Sequence, residues 1–311
     1  MRLPGFIFCF AILFFSANAQ NKTPFLKPYW ASISGGATMT TGFPVDSSVF
    51  FSLAKKDDPA LHPNLDGYIK ETGNSFDANS EFTLAMAFKT RKKDGSGYRE
   101  RSVFRLGLTY SSGAFLSSSY QYTKAIRIDT LTSSSGASEN IYIDSVFNYN
   151  YNFSYQVRQL GLEASLLFNT NPEKIIGLYG GFSFAEHISI KNEIEIDYML
   201  RKRLRQTNTS GTSIGGGNGF GMNNEYGGSK YDGTYNTVAA KNSFSTRIAI
   251  PVGATLKLAK TKKFWKNFQL FFESKPSLDL TIVPGYKTFI RPRFSVQGGV
   301  RVLVLTTPVK K

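Results

Sequence analysis

Phe268-Gln269-Leu270-Phe271-Phe272-Glu273-Ser274-Lys275, carried on to Leu280 and Ile282, sets apolar residues mostly at even positions and Gln269, Glu273, Lys275 and Asp279 at odd ones. Ile290, Phe294, Val296, Val300, Val302 and Val304 repeat the pattern against Arg291, Arg293, Gln297 and Arg301. A period of two over spans this long is β-strand with one apolar and one polar face. Such strands are expected either to sandwich a soluble core or to close into a barrel with the apolar face towards lipid. Soluble strands are usually shorter, about 5–6 residues, so the barrel is the expected fold.

Outward from this segment, eight strand-like stretches follow one another along the chain. They are Tyr29–Met39, about Phe76–Thr90, Tyr98–Ser112 with a continuation through Tyr120 and Ile128, and one ending near Phe168. Ile175 to about Tyr198, Phe244–Leu258, the segment after the basic turn 260–266, and the one after Pro284-Gly285-Tyr286 complete the set. Asp94-Gly95-Ser96-Gly97 and Asn169-Thr170-Asn171-Pro172 mark tight turns. The other connections are mostly long: a polar one rich in Pro, Asp and Gly from Phe43 to Gly67, a Ser-rich one at Thr132–Ser138, and a Gly/Asn/Tyr-rich one through Gly233. An even strand count with short turns at one end and long loops at the other is the pattern of an up-and-down transmembrane β-barrel. The third, fourth and fifth stretches exceed the membrane's needs, and are expected to project beyond it as a hairpin wall.

The N-terminus agrees with export. Arg2, the apolar run Phe6–Phe15 and Ala17-Asn18-Ala19 form a secretory signal, predicting removal of residues 1–19 and a single barrel domain over 20–311. The one cysteine, Cys9, lies within that signal, so neither disulfides nor thiolate chemistry are expected. A net charge of +15 would suit nucleic acid inside a cell. For an exported chain it points instead to acidic lipid headgroups, lipopolysaccharide or surface glycan.

Alternation also predicts what the barrel encloses. Glu81, Lys89, Arg105, Glu163, Arg247, Lys257, Glu273, Lys275, Asp279, Arg293 and Arg301 share the face opposite the apolar one, with Gly107, Gly161, Gly181, Gly253 and Gly299 among them. Eight strands leave an interior that side chains fill. Opposite charges there are expected to pair into a plug, the alternative being a narrow polar channel for small solutes. No catalytic motif, metal site or cofactor site is evident: Gly-x-Ser-x-Gly and His-Glu-x-x-His are both absent. His187 and Ser189 share the inward parity and leave a lipid hydrolase as the enzymatic alternative, with His187 expected as a polar residue near the rim. Arg201-Lys202-Arg203-Leu204-Arg205 is the densest basic run; at the loop end it would meet lipopolysaccharide phosphates or acidic glycans. Gly215–Gly221 lacks the Lys-Ser/Thr ending of a phosphate loop, and Asn208-Thr209-Ser210 matches a glycosylation sequon.

The signal ending Ala17-Asn18-Ala19-Gln20, the segment Gly177–Phe184 and Phe294-Ser295-Val296-Gln297-Gly298-Gly299-Val300 resemble the small outer-membrane barrels of Gram-negative bacteria, in particular the porin-like families of Bacteroidota. The chain departs from that pattern in ending on Thr-Thr-Pro-Val-Lys-Lys rather than on an aromatic residue. The resemblance implies an outer-membrane location and a non-enzymatic role as a scaffold, or a binding protein that presents its outer loops to a glycan or a protein ligand.

Overall fold

The computed structural model describes residues 25–41, 45–71, 76–94, 96–131, 141–170, 174–207, 230–259, 265–286 and 288–304. The signal segment, the sequon and Gly215–Gly221 lie outside the described residues. The strands are β1 (Leu26–Thr41), β2 (Ile69–Lys70), β3 (Phe76–Arg91), β4 (Tyr98–Leu131), β5 (Ile141–Asn169), β6 (Ile176–Thr207), β7 (Lys230–Ala239), β8 (Phe244–Ala249), β9 (Val252–Lys257), β10 (Phe268–Ile282) and β11 (Phe289–Leu303). A short helix, α1 (Ser47–Leu53), and a 3-10 turn at Pro59–Leu61 lie in the first long connection.

The protein is an antiparallel transmembrane-type barrel. β1 pairs with β3, then β4, β5 and β6 follow, and β10 and β11 return to β1. β8 and β9 are two halves of one strand, interrupted at Ile250-Pro251, and both bridge β6 to β10. Pro251 has no N–H for the ladder, but its carbonyl still accepts from Gly181 at 2.9 Å, and the Ile250 amide donates to Pro276 at 3.0 Å. Counting that broken strand once, eight strands close the ring.

The faces separate as the alternation requires. Leu84, Leu108, Leu162, Phe182, Ile248, Phe272 and Ile290 stand outward and exposed. On β5 the outward apolar series Leu160–Phe168 fills the span of about 9–11 residues that a tilted strand needs to cross a bilayer. No helix among the described residues is long and apolar enough to cross a membrane.

β4, β5 and β6 run far beyond this belt, and two bulges mark where they leave it. Ala114 and Leu116 on β4 face Gln156 and Tyr155, so Phe115 is left over; Ser189 and Lys191 on β6 face Gln159 and Arg158, so Ile190 is left over. One extra residue inverts every later side chain. Below Ile190 the even residues Phe182, Phe184 and Ile188 face outward; above it the even residues Ile194 and Ile196 are buried on the inner side. Even-numbered apolar residues run along β6 on both sides of the bulge, yet serve lipid below it and a water-facing core above it.

That second core corrects the first long connection, which composition describes as merely polar. Phe50 and Leu53 of α1 and Leu61 of the 3-10 turn are fully buried against Leu116, Phe153, Tyr155 and Ile194. Asp58 caps the turn by accepting from the Ala60 amide at 2.9 Å. The Lys241 ammonium donates to the Ser52 carbonyl at 2.6 Å, tying the lid to the segment before β8. Each large apolar side chain buried here stabilises the lid by roughly 1.5–3 kcal/mol. The wall's two free edges are partly covered: β2 pairs with β4 at Tyr120 and Gln121, and β7 pairs with β6 from Glu193 to Lys202. β7 falls in a stretch whose Gly/Asn/Tyr composition suggests only loop.

Candidate functional site

Between the lid and the short-turn end, the lumen is built in layers. In the lower one, Arg105 donates to Glu163 and to Glu273, both at 2.7 Å, and Lys275 reaches the same two carboxylates at 2.9 and 3.3 Å. In the upper one, Arg247 contacts Glu81 and Asp279 at 2.9 Å, and Arg293 contacts them at 2.9 and 3.2 Å. Each layer is a closed quadrilateral of alternating sign and is neutral, each ion touching two counter-ions within it; Arg301 adds a longer contact to Glu273 at 3.9 Å. Gln297 donates to the second oxygen of Glu81, and Ser165 donates to Glu163 at 2.9 Å. Buried charge is tolerated only when paired and hydrogen-bonded in this manner.

Two further buried cations cap the ladder on aromatic rings. The Arg301 guanidinium carbon lies 4.3 Å from the ring centroid of Phe271 and 4.4 Å from those of Trp30 and Tyr179. At the lid end, Arg291 lies 3.4 Å above the Phe115 ring and donates to the Phe115 carbonyl. Cation–π contact with a planar guanidinium suits such dry sites. Glu81, Arg105, Glu163, Arg247, Glu273, Lys275, Asp279, Arg293 and Arg301 thus all lie buried inside the barrel. Lys89 and Lys257 lie half-buried near the short-turn end. Arg291, visible in the alternation but not singled out with the others, belongs among them.

Gly161, Gly253 and Gly299 make room for rings, whereas Gly181 lies against the Leu166 backbone and Gly107 against Ala85 and Thr83. A Cβ on Gly161 would sit 2.2 Å from the His187 ring, and one on Gly253 would sit 2.4 Å from Tyr179. His187 is fully buried, not at the rim, and shares a 3.1 Å hydrogen bond with Thr109. Ser189 accepts from the Ser243 amide at 2.7 Å, and no hydrogen bond joins it to His187 among the described residues. The pair is therefore not arranged as nucleophile and base. A polar cavity of about 20 Å³ remains between the upper quadrilateral and the lid, lined by Asn79, Gln159, Asp279 and Arg293 among others. That holds about one water.

The wall carries the remaining charge. On its outer face Asp144 sits between Arg127 and Arg205, 3.5 Å from each. Arg203 and Arg201 follow on the same face of β6, opposite Val146 and Asn148. On the inner face Lys124, Phe147 and Lys202 form one cross-strand rung, with the Lys202 ammonium 5.4 Å from the Phe147 centroid. Lys124, Arg127 and Asp144 went unmarked in the sequence because only the β4–β5–β6 register brings them to the basic run. Among the described residues no group of His, Cys, Asp or Glu is placed to hold a metal ion.

No family model matches the sequence, and no curated protein matches it significantly. Among solved structures the chain is similar to Ail, the attachment invasion locus protein of Yersinia pestis, in complex with the heparin analogue sucrose octasulfate, at 12% identity over 88% of this chain and 99% of that one, with a TM-score of 0.25. It is also similar to the translocator domain of autotransporter NalP from Neisseria meningitidis, at 9% identity over 96% and 95% of the two chains and a TM-score of 0.19. The transport unit of autotransporter AIDA-I from Escherichia coli gives 9% identity, coverage of 94% and 97%, and a TM-score of 0.20. At these scores the likenesses inform neither the site nor the role of this chain.

Proposed function

We propose that this protein is an outer-membrane barrel that does not conduct and that binds an anionic partner at the tip of its projecting wall. The carrying observation is the contrast between its two charge systems. Inside, four carboxylates meet four cations in closed rings beneath an apolar lid. At the wall tip Arg127 and Arg205 flank Asp144, Arg203 and Arg201 continue along that outer face, and Lys124 and Lys202 stand on the inner one. Charge that balances itself holds a fold together; an excess gathered at a free end attracts an opposite charge from outside. The outward apolar belt supports the membrane location, and export through the N-terminal signal belongs to the same reading.

Height distinguishes the partners. From Lys191, just above the bulge, to Arg203 the strand advances about 40 Å at a rise of about 3.3 Å per residue. A tilt of about 40° leaves the tip about 30 Å above the apolar belt. Phosphates at the lipid surface lie beyond its reach, whereas outer sugars or a protein from another source do not. The test combines two measurements on purified protein. In planar bilayers the wild type is expected to give no steady openings; large, steady ones would refute the plugged lumen. Arg201→Gln/Lys202→Gln/Arg203→Gln/Arg205→Gln is expected to lose salt-sensitive retention on immobilised acidic glycan, and unchanged retention would refute the wall as binding element.

A further inference from the structure

We infer that the inner face of the wall, above the lid, is a platform for the sugar rings of an acidic polysaccharide. This deepens the binding role proposed above and rests on it. Cross-strand register stacks three rungs on this face: Tyr120, Tyr151 and Tyr198; then Tyr122, Tyr149 and Leu200; then Lys124, Phe147 and Lys202. Tyr68, entering from the lid connection, closes the side of the tier, 5.4 Å from Tyr122 and 5.7 Å from Tyr151 between ring centroids. Tyr151 and Tyr198 lie 4.7 Å apart, and Tyr122 and Tyr149 5.7 Å apart.

Tyr68, Tyr122, Tyr149, Tyr151 and Tyr198 are half-buried, neither sealed into the core nor spread into water. Tyr120 and Tyr155 below them use their hydroxyls, with the Ser47 amide and with the Lys241 carbonyl. The hydroxyls of the other five have no hydrogen-bond partner among the described residues. Their phenols converge: loss of water, and then the neighbouring Tyr151, Tyr198, Tyr149 and Tyr122, push the Tyr68 hydroxyl up to about 12.

A tilted phenol ring with a spare O–H matches both parts of a pyranose. Its apolar C–H face packs on the ring, and its hydroxyl rim bonds to the phenol. Tyrosine does this at a small cost in side-chain freedom. Adjacent strands lie about 4.8 Å apart, close to the advance of one hexose in a polymer, so neighbouring tyrosines address neighbouring sugars. Lys124 and Lys202 near the top of the face select acidic sugars; Asp232, on β7 opposite Leu200, and Asp129, paired with Ile143 above the lysines, are carboxylates that stand against them. The outer-face arginines then take the polymer as it passes over the tip.

The experiment uses the full chain in detergent micelles, with oligogalacturonate, its methyl ester, and anionic phosphatidylglycerol vesicles as probes. Tyr122→Ser/Tyr149→Ser is expected to weaken oligogalacturonate binding at least tenfold with its salt dependence unchanged. Tyr122→Phe/Tyr149→Phe should fall between that variant and the wild type. Lys124→Gln/Lys202→Gln should bind acid and methyl ester alike. Retention of the heat-modifiable gel band confirms that each variant is folded. Wild-type affinity in the serine variant overturns the platform; if the quadruple basic-run variant still loses binding, the wall-tip reading survives without it. Failure of the wild type to bind oligogalacturonate, or tighter binding to vesicles that ignores the tyrosines, also overturns the inference.

Discussion

Replacing Glu81 by Gln removes one corner of the upper quadrilateral while keeping its shape. Glu81 accepts from Arg247 and Arg293, each at 2.9 Å, and from Gln297. Without the carboxylate both guanidinium groups share Asp279 alone, and the layer goes from neutral to a single positive charge. Hydrogen bonds to a charged partner contribute about 1.5–3 kcal/mol each, and breaking a buried ion pair costs about 3–5 kcal/mol. The two arguments meet at a loss of about 4 kcal/mol. Urea unfolding in lipid vesicles, followed through the heat-modifiable band, measures it. Ser80→Ala on the outward side of the same strand is the control, with an expected change below about 0.5 kcal/mol. Glu81→Gln/Arg247→Met removes a charge of each sign and should recover part of the loss, as the two sites share one network. A loss under about 1 kcal/mol for Glu81→Gln, or strict additivity in the double variant, would refute the closed-ring account.

The lid should behave as a local unit: Phe50→Ala is expected to cost it about 3–5 kcal/mol and to speed proteolysis between residues 45 and 71, with the heat-modifiable band unchanged. Deleting Ile190 removes only the residue left over at the bulge, so both faces of β6 keep their partners and the lid stays protected from protease. Deleting Ile194 instead draws Glu195 into its place beneath the lid, and protection should be lost; equal tolerance of the two deletions would contradict the assigned register. Tyr68 makes a pH prediction. Its hydroxyl is pushed up to about 12 by burial and neighbouring phenols, above the usual value of about 10. A raised folded-state value favours the protonated form, so its stabilising contribution is complete below about pH 10 and lost as pH rises through about 12. Lid protection from protease should fall across that window, and Tyr68→Phe should lessen the fall, the remainder coming from Tyr155 in the same core, which burial also pushes up to about 12.

β10 and β11 disclosed their structure at once because neither carries a bulge: odd residues face inward from Gln269 to Thr281 and from Arg291 to Arg301. Face is a local property, and alternation reports it. Partnership is not. Glu81 meets Arg293 and Arg105 meets Glu273 across most of the chain, and only closure of the ring fixes which inward charges touch. β4 and β6 hid their change of face for a different reason. Apolar residues continue at even positions past Ile190, so a switch from lipid-facing to lid-facing leaves no break in the pattern. The lid escaped because Phe50, Leu53 and Leu61 are too few, on too short a helix, to make a period visible among prolines and aspartates. The wall tip was legible as a basic run on one strand but not as a two-faced site. Arg127, Asp144 and Lys124 join it only through register.

The ladder also has a consequence for how the molecule comes into being. Its four carboxylates and four cations are supplied by β3, β4, β5, β8, β10 and β11, so no single hairpin carries a complete ring. A partly inserted sheet would hold these ions at bilayer depth with at most one of their two counter-ions, as Arg105 has Glu163 from the neighbouring strand but not yet Glu273, at a cost of several kcal/mol. Only the arrival of the last two strands, with Glu273, Lys275, Asp279 and Arg293, closes both rings and gives every ion its second counter-ion. Insertion is thereby coupled to closure: the chain gains little from entering the membrane strand by strand, and the finished cylinder is separated from every open intermediate by its own interior.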